Sequence, residues 1–151
     1  MRARIILGIL AGTALWAAPL FPADPGVVVA GNIRVLRGEA YLLRAGQRLP
    51  LAVGTPVQVR DVLHTGPDGS LGLILQDDTA LSLGPSSELA LKDFQYQPNE
   101  GLFANVLGMV KGTLVYISGR IAKLAPASVR VETPVGIVAV RGTKLLVKID
   151  G

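Results

Sequence analysis

The stretch SLGLILQDDTALSLG, Ser70 to Gly84, holds two apolar runs separated by Gln76-Asp77-Asp78-Thr79. Leu71, Leu73 and Leu75 fall on one face of the first run, and Leu81 and Leu83 continue it in the second. Successive side chains of a strand point to opposite faces, so this period of two marks a strand with one buried side. The Asp-Asp pair between the runs is turn chemistry, because an Asp carboxylate accepts from backbone N–H groups nearby. The stretch therefore predicts a β-hairpin.

The pattern spreads both ways from this hairpin. Downstream, SSELALKDF (86–94) places Leu89 and Leu91 inward, with Glu88 and Lys92 outward. Upstream, GNIRVLRG (31–38) alternates, and EAYLLRAGQRLPL (39–51) reads as a hairpin around Ala45-Gly46. AVGTPVQVRDVLHTG (52–66) gives a turn at Gly54-Thr55-Pro56, one strand, and a stop at His64-Thr65-Gly66. Residues 95–105, QYQPNEGLFAN, are the most polar stretch after the leader and are expected to form the longest loop. A strand is expected from about Gly112 to Ser118, followed by one helical turn or a loose connector over GRIAKLAP (119–126).

The last segment, VRVETPVGIVAVRGTKLLV (129–147), predicts three strands. Val129 and Val131 point inward, and Thr133-Pro134 ends the first strand, because proline lacks a backbone donor and biases its predecessor toward extended geometry. Ile137 to Val140 form the second strand. Gly142 opens the chain for a turn that the Thr143 hydroxyl closes, and Lys144 to Val147 form the third. Arg141 is expected either to cross the strands and bond turn carbonyls or to face a partner; the structural role is the preferred expectation. Residues 65–83 and 133–147 also look alike, each running Thr, turn, apolar strand, turn, apolar strand. Matching rungs suit a small β-solenoid or a stacked-hairpin sheet. The expected class is all-β with many short strands.

The first 23 residues differ from the rest. Arg2 and Arg4 precede the apolar run Ile5 to Ala18, which Pro19 and Pro22 break before Ala23. This is the pattern of a secretory signal peptide, expected as a helix over 1–23, with Ala18 and Ala23 as alternative cleavage points. The run is shorter than the ~20 apolar residues of a membrane span, although an uncleaved anchor stays open. Residues 24–151 then form the exported part, without a stable membrane span after cleavage. Loss of the leader removes Arg2 and Arg4 and no acid, leaving 13 bases against 11 acids. The whole-chain pI of about 9.8 is thus partly a property of the leader, and so small a net charge gives no reason to invoke nucleic acid.

Candidate chemistry is sparse. The chain has no cysteine and one histidine, which excludes disulfides, thiolate metal sites and a multi-histidine metal site within one chain. His64, Asp61 and Ser70 are near in sequence, but nothing supplies the strained nucleophile turn or oxyanion hole of a triad. Asp77-Asp78 and Asp68-Gly69 read as turns before they read as cation ligands. No glycine-rich phosphate loop is present, and Arg34, Arg37, Arg44 and Arg48 are expected on a solvated face. No catalytic residue, cofactor or metal ligand is expected, and the chain reads as a non-enzymatic binding module.

The ordered motifs do resemble a family. Asp61, Thr65-Gly66, Asp68-Gly69-Ser70, Asp77-Asp78-Thr79, Leu81, Leu83, Pro85 and Ser87, followed by Ser118-Gly119 with Ile121 and closing on Thr133-Pro134 and Arg141-Gly142-Thr143, are similar to the FecR domain over about residues 29–149. The signature residues Asp61, Thr65, Gly66, Asp78, Thr133, Pro134, Arg141, Gly142 and Thr143 are expected to be structural. The resemblance implies a bacterial protein of the periplasm or cell surface. The family's regulators also carry a cytoplasmic sigma-factor-binding segment and a receptor-sensing part; four residues ahead of the apolar run leave no room for the former, so neither role is carried over. The implied function is an envelope protein-interaction or signalling-associated module with a protein partner. The alternative is a peptidoglycan- or polysaccharide-binding module using Phe94, Tyr96 and Phe103 as a stacking face.

Overall fold

The computed structural model describes residues 26–151, and the expected signal helix lies outside them. Twelve strands run in chain order: β1 (Val29–Arg37), β2 (Ala40–Arg44), β3 (Gln47–Pro50), β4 (Pro56–Gln58), β5 (Val62–Thr65), β6 (Ser70–Leu75), β7 (Ala80–Leu83), β8 (Glu88–Gln97), β9 (Leu102–Ile117), β10 (Val129–Thr133), β11 (Gly136–Ala139) and β12 (Lys144–Ile149). One helical turn, α1 (Arg120–Leu124), sits between β9 and β10. The all-β expectation holds, in the form of a curled open sheet whose ladders are antiparallel except where β10 joins β9.

The organising element is one long bent hairpin. Residues 80–83 pair with 114–117, and residues 88–97 pair with 102–111, so β7 and β8 run back along the same edge of β9. Around the outer arm, β5, β2 and β3 add beside β8, and β10 and β11 add beside β9. Around the inner arm, β6, β1 and β4 add beside β7, and β12 adds beside β9. The two arms become two layers with a shared core: Leu42, Leu63, Leu89 and Leu107 from one, Ile33, Leu73, Leu81 and Leu114 from the other. Each such side chain contributes roughly 1.5–3 kcal/mol when fully buried.

The bend has a local cause. Ser86 adopts φ 52° and Gly112 adopts φ 90° on opposite sides of the hairpin. The Thr113 N–H donates to Ser87 Oγ at 3.0 Å, and the Gly84 N–H donates to the Thr113 carbonyl at 3.0 Å. A Cβ on Gly112 would overlap Ser87, backbone included. Glycine is therefore required there twice, for its dihedral and for the close approach.

Four expectations are corrected. Residues 95–105 are not the longest loop: Tyr96 pairs with Phe103 and Gln97 with Leu102, and only a tight turn at Pro98–Glu100 with Gly101 intervenes. Phe94 and Tyr96 alternate with Gln95 and Gln97, so this polar stretch carries a strand's period. The strand expected from Gly112 begins ten residues earlier, at Leu102, because the glycine bends it instead of starting it. Residues 52–66 hold two strands, separated where Arg60 takes φ 77°. Finally, the two similar segments are paired differently: β6 pairs with β7, but β11 pairs with β10 and β12 with β9.

Two outcomes follow from this packing. Gly112→Ala should lower stability by roughly 3 kcal/mol, combining a strained φ at about 1–2 kcal/mol with overpacking, whereas Gly46→Asn, in an open turn, should change it by under about 1 kcal/mol; denaturant titration compares them. Tyr116 is fully buried, and burial raises its phenol above the ordinary value. The fold then favours the neutral phenol, so this stability is present below about pH 10 and lost as pH rises through the higher folded value. Wild-type stability should accordingly fall more steeply above about pH 10 than that of Tyr116→Phe.

Candidate functional site

The signature residues divide into those used up inside the fold and those left at its edge. Asp61 is buried and receives Arg44 through two bonds, Nε to Oδ1 at 2.9 Å and Nη2 to Oδ2 at 2.7 Å. The Gln58 N–H adds a third at 2.8 Å. Arg44 is therefore no free surface charge; it neutralises a buried carboxylate, and that contact raises its own proton affinity. Thr65 ties the bend: its hydroxyl donates to the Gly84 carbonyl at 2.7 Å and accepts from the Ser87 N–H at 2.9 Å. The Gly66 N–H donates to the Glu39 carbonyl, and its carbonyl accepts from Ser86 and Gly69.

The Asp pair also differs from expectation. Asp77 is 0% exposed, and its carboxylate accepts from Thr79 N–H at 3.1 Å, Thr79 Oγ1 at 2.8 Å and Ile121 N–H at 3.1 Å. It closes its own turn and also anchors the start of α1. Asp78, the one read as the signature residue, is exposed and meets Arg120 Nε at 3.0 Å. The Tyr96 hydroxyl and then Asp78 hold the Arg120 guanidinium more firmly protonated than usual. Sequence proximity did not distinguish the two carboxylates; the distant Ile121 N–H does.

The other candidates are packed against neighbouring side chains. His64 stacks on Tyr41 with centroids 4.8 Å apart and planes within 5°, and Arg48 lies 3.8 Å over the same ring. Its Nδ1 is 3.8 Å from Glu88 Oε2, while Asp61 faces Arg44 instead, so the three triad candidates are not assembled. Phe94, named as a glycan contact, is 2% exposed and has no face to offer. Tyr96 and Phe103 pack on each other at 6.3 Å and against the core. All three lie on a paired stretch of β8 and β9 and not on the rim of a loop.

What remains open lies on the strands β10, β11 and β12, which cover the edge of β9 opposite β7 and β8. The Thr133 hydroxyl donates to the Gly136 carbonyl at 2.8 Å, locking the Pro134-Val135 turn. That turn projects Val135, 94% exposed, and Ile137, 68% exposed. Ile137 borders two open grooves of about 540 and 600 Å³. In one, Glu132 binds Lys92 at 2.5 Å and Arg130 at 3.2 Å, and these cations hold its carboxyl below the usual range. The other reaches Arg141 and Gly142. Ser118 secures the crossover from β11 to β12: its hydroxyl donates to the Gly142 carbonyl at 2.6 Å and its N–H to the Thr143 carbonyl at 2.9 Å. The turn is thus closed through Thr143's backbone and not its hydroxyl. Arg141 is exposed and has no hydrogen bond or ion pair among the described residues, contrary to the structural role expected for it.

Comparison with protein-family models matches residues 61–151 to the family described as FecR protein. No curated protein and no solved structure matches.

The two carboxylates should separate by mutation. Asp77→Ala leaves three donors without their acceptor and should cost at least roughly 3 kcal/mol, at about 1–3 kcal/mol per unmet buried group. Asp78→Asn, which keeps a residue suited to φ 67°, should stay within about 0.5 kcal/mol. Thermal melts of both variants check the order.

Proposed function

We propose a function from one premise: the chain belongs to the FecR protein family. FecR domains are associated with signalling and with envelope-related proteins, and the family is a regulatory one, not known for catalysis. On our reading, residues 1–23 direct export and residues 24–151 act as a non-enzymatic module in the periplasm or at the cell surface. The module binds a protein partner through the edge built by β10, β11 and β12.

One contrast carries this reading. The polar signature residues at Asp61, Thr65 and Gly66 are spent on internal bonds, whereas the closing signature frames exposed Val135 and Ile137, exposed Leu146 and unpartnered Arg141. Scattered exposed apolar residues are ordinary, but several on the strands that cover one side of β9, beside a cation with no partner among the described residues, mark an interaction surface. A glycan-binding role finds no support: Phe94 is buried, and Tyr96 and Phe103 are half-buried against the core.

A photo-crosslinking residue at Val135 should capture one discrete protein in the native envelope. The same residue at Val53, exposed on the far side beside β4, should capture none. Equal capture at both positions, or none at either, would count against the reading.

A further inference from the structure

The backbone of β12 is half used. Thr143 accepts from the Ser118 N–H, and the ladder continues from Lys144 opposite Ile117 to Ile149 opposite Gly112. Hydrogen-bonded and non-bonded pairs alternate along an antiparallel ladder. Leu145, Val147 and Ile149 therefore turn their N–H and C=O groups toward β9. Lys144, Leu146 and Lys148 turn theirs outward, to an edge that no strand among the described residues occupies.

The same three residues share the outer face. Val147 is buried and Leu145 and Ile149 pack on the core, while Lys144, Leu146 and Lys148 are exposed, Leu146 at 64%. Lys144 has no ion pair among the described residues, and Lys148 has only a 3.8 Å contact to exposed Asp150. With Arg141 just upstream, the edge carries three cations against one acid.

These charges select the occupant. A second copy pairing antiparallel about Leu146 would set Lys144 opposite Lys148 of that copy, and like charges directly opposite are destabilising. Lysines on an edge strand deter self-association in this way. A segment with carboxylates at those two positions and an apolar residue between them meets attraction at both ends and apolar contact at the centre.

We propose that β12 accepts an extended acidic segment of a partner protein as an added strand, with the side-chain pattern acidic, any, apolar, any, acidic. Main-chain bonds to Lys144, Leu146 and Lys148 hold it, and the two lysines set its register. This rests on the protein-binding reading above and specifies its chemistry.

The test uses the purified full chain and two fluorescent peptides, Thr-Glu-Thr-Val-Thr-Glu-Thr and its counterpart with Lys for Glu, measured by anisotropy. The acidic peptide should bind at least ~10-fold more tightly and weaken with salt, as screened charges do. Lys144→Glu with Lys148→Glu should reverse the preference. Leu146→Pro removes an outward donor without touching the β9 ladder and should abolish binding of both peptides while the far-UV spectrum is kept. Equal binding of both peptides, no binding of either to folded protein, or charge-dependent binding to phosphatidylglycerol vesicles in place of peptide would overturn the proposal. If crosslinks at Val135 persist while the charge-reversed chain behaves like wild type, strand addition falls and the protein-binding reading stands. If those crosslinks also vanish, both fall.

Discussion

The structure depends on the close contact between Gly112 and Ser87. A straight 16-residue strand paired with its neighbours would make one flat sheet whose leucine rows face water on one side. The Gly112 dihedral and the Ser87 hydroxyl fold that hairpin over instead, so its two arms face each other. Leu89 and Leu107 then meet the layer that holds Leu81 and Leu114. Burial supplies the stabilisation, but the bend decides which surfaces can be buried. Every other strand adds to an arm of this hairpin, directly or through a neighbour.

A sheet that bends must account for the backbone groups it interrupts, since a buried polar group without a partner costs far more than a bond returns. The polar signature residues do this accounting. Thr65 bonds the Gly84 carbonyl and the Ser87 N–H across the bend. Asp61 gathers the Gln58 N–H where β4 gives way to β5. Asp77, the neighbour of the signature Asp78, gathers Thr79 and the first turn of α1. Each sits where the chain leaves one ladder for another, so these motif residues describe the joints of the fold. That is why the motif alone says little about a partner.

The same logic explains what could be read from the sequence. Leu71, Leu73, Leu75, Leu81 and Leu83 repeat every two residues, and that local pattern needs no knowledge of the rest of the chain. The hairpins at Ala45-Gly46 and Asp77-Asp78 were legible for the same reason. Gly112 was not, because glycine as a bend and glycine as a strand end look identical until Ser87 is brought opposite. Residues 95–105 were misread because their polarity outweighed a short alternation of aromatics. Asp77 could not be told from Asp78 without Ile121, 44 residues away. At the candidate edge, Thr133-Pro134 and Gly142 were legible as turns. The exposure of Arg141 was not, since it follows from where β12 docks.

The edge is nevertheless tied to the interior. Ser118 holds both Gly142 and Thr143, and Gly119 follows it so closely against the Asp77 carbonyl and Thr79 N–H that a Cβ there has no room. Arg120 N–H then donates to the same Asp77 carbonyl at 2.7 Å. Three consecutive residues thus connect the crossover into β12 with a fully buried carboxylate turn. The register of β12 on β9 is set at Thr143, the first bond after the crossover, and a slip of one residue would turn Lys144, Leu146 and Lys148 to the core face. The spacing of the two lysines along the free edge is therefore not a loose surface property. It is fixed through Ser118 and Gly119 by the same buried joint that closes the hairpin of Leu75 and Ala80, so a surface that reads charge at two positions inherits its precision from the core.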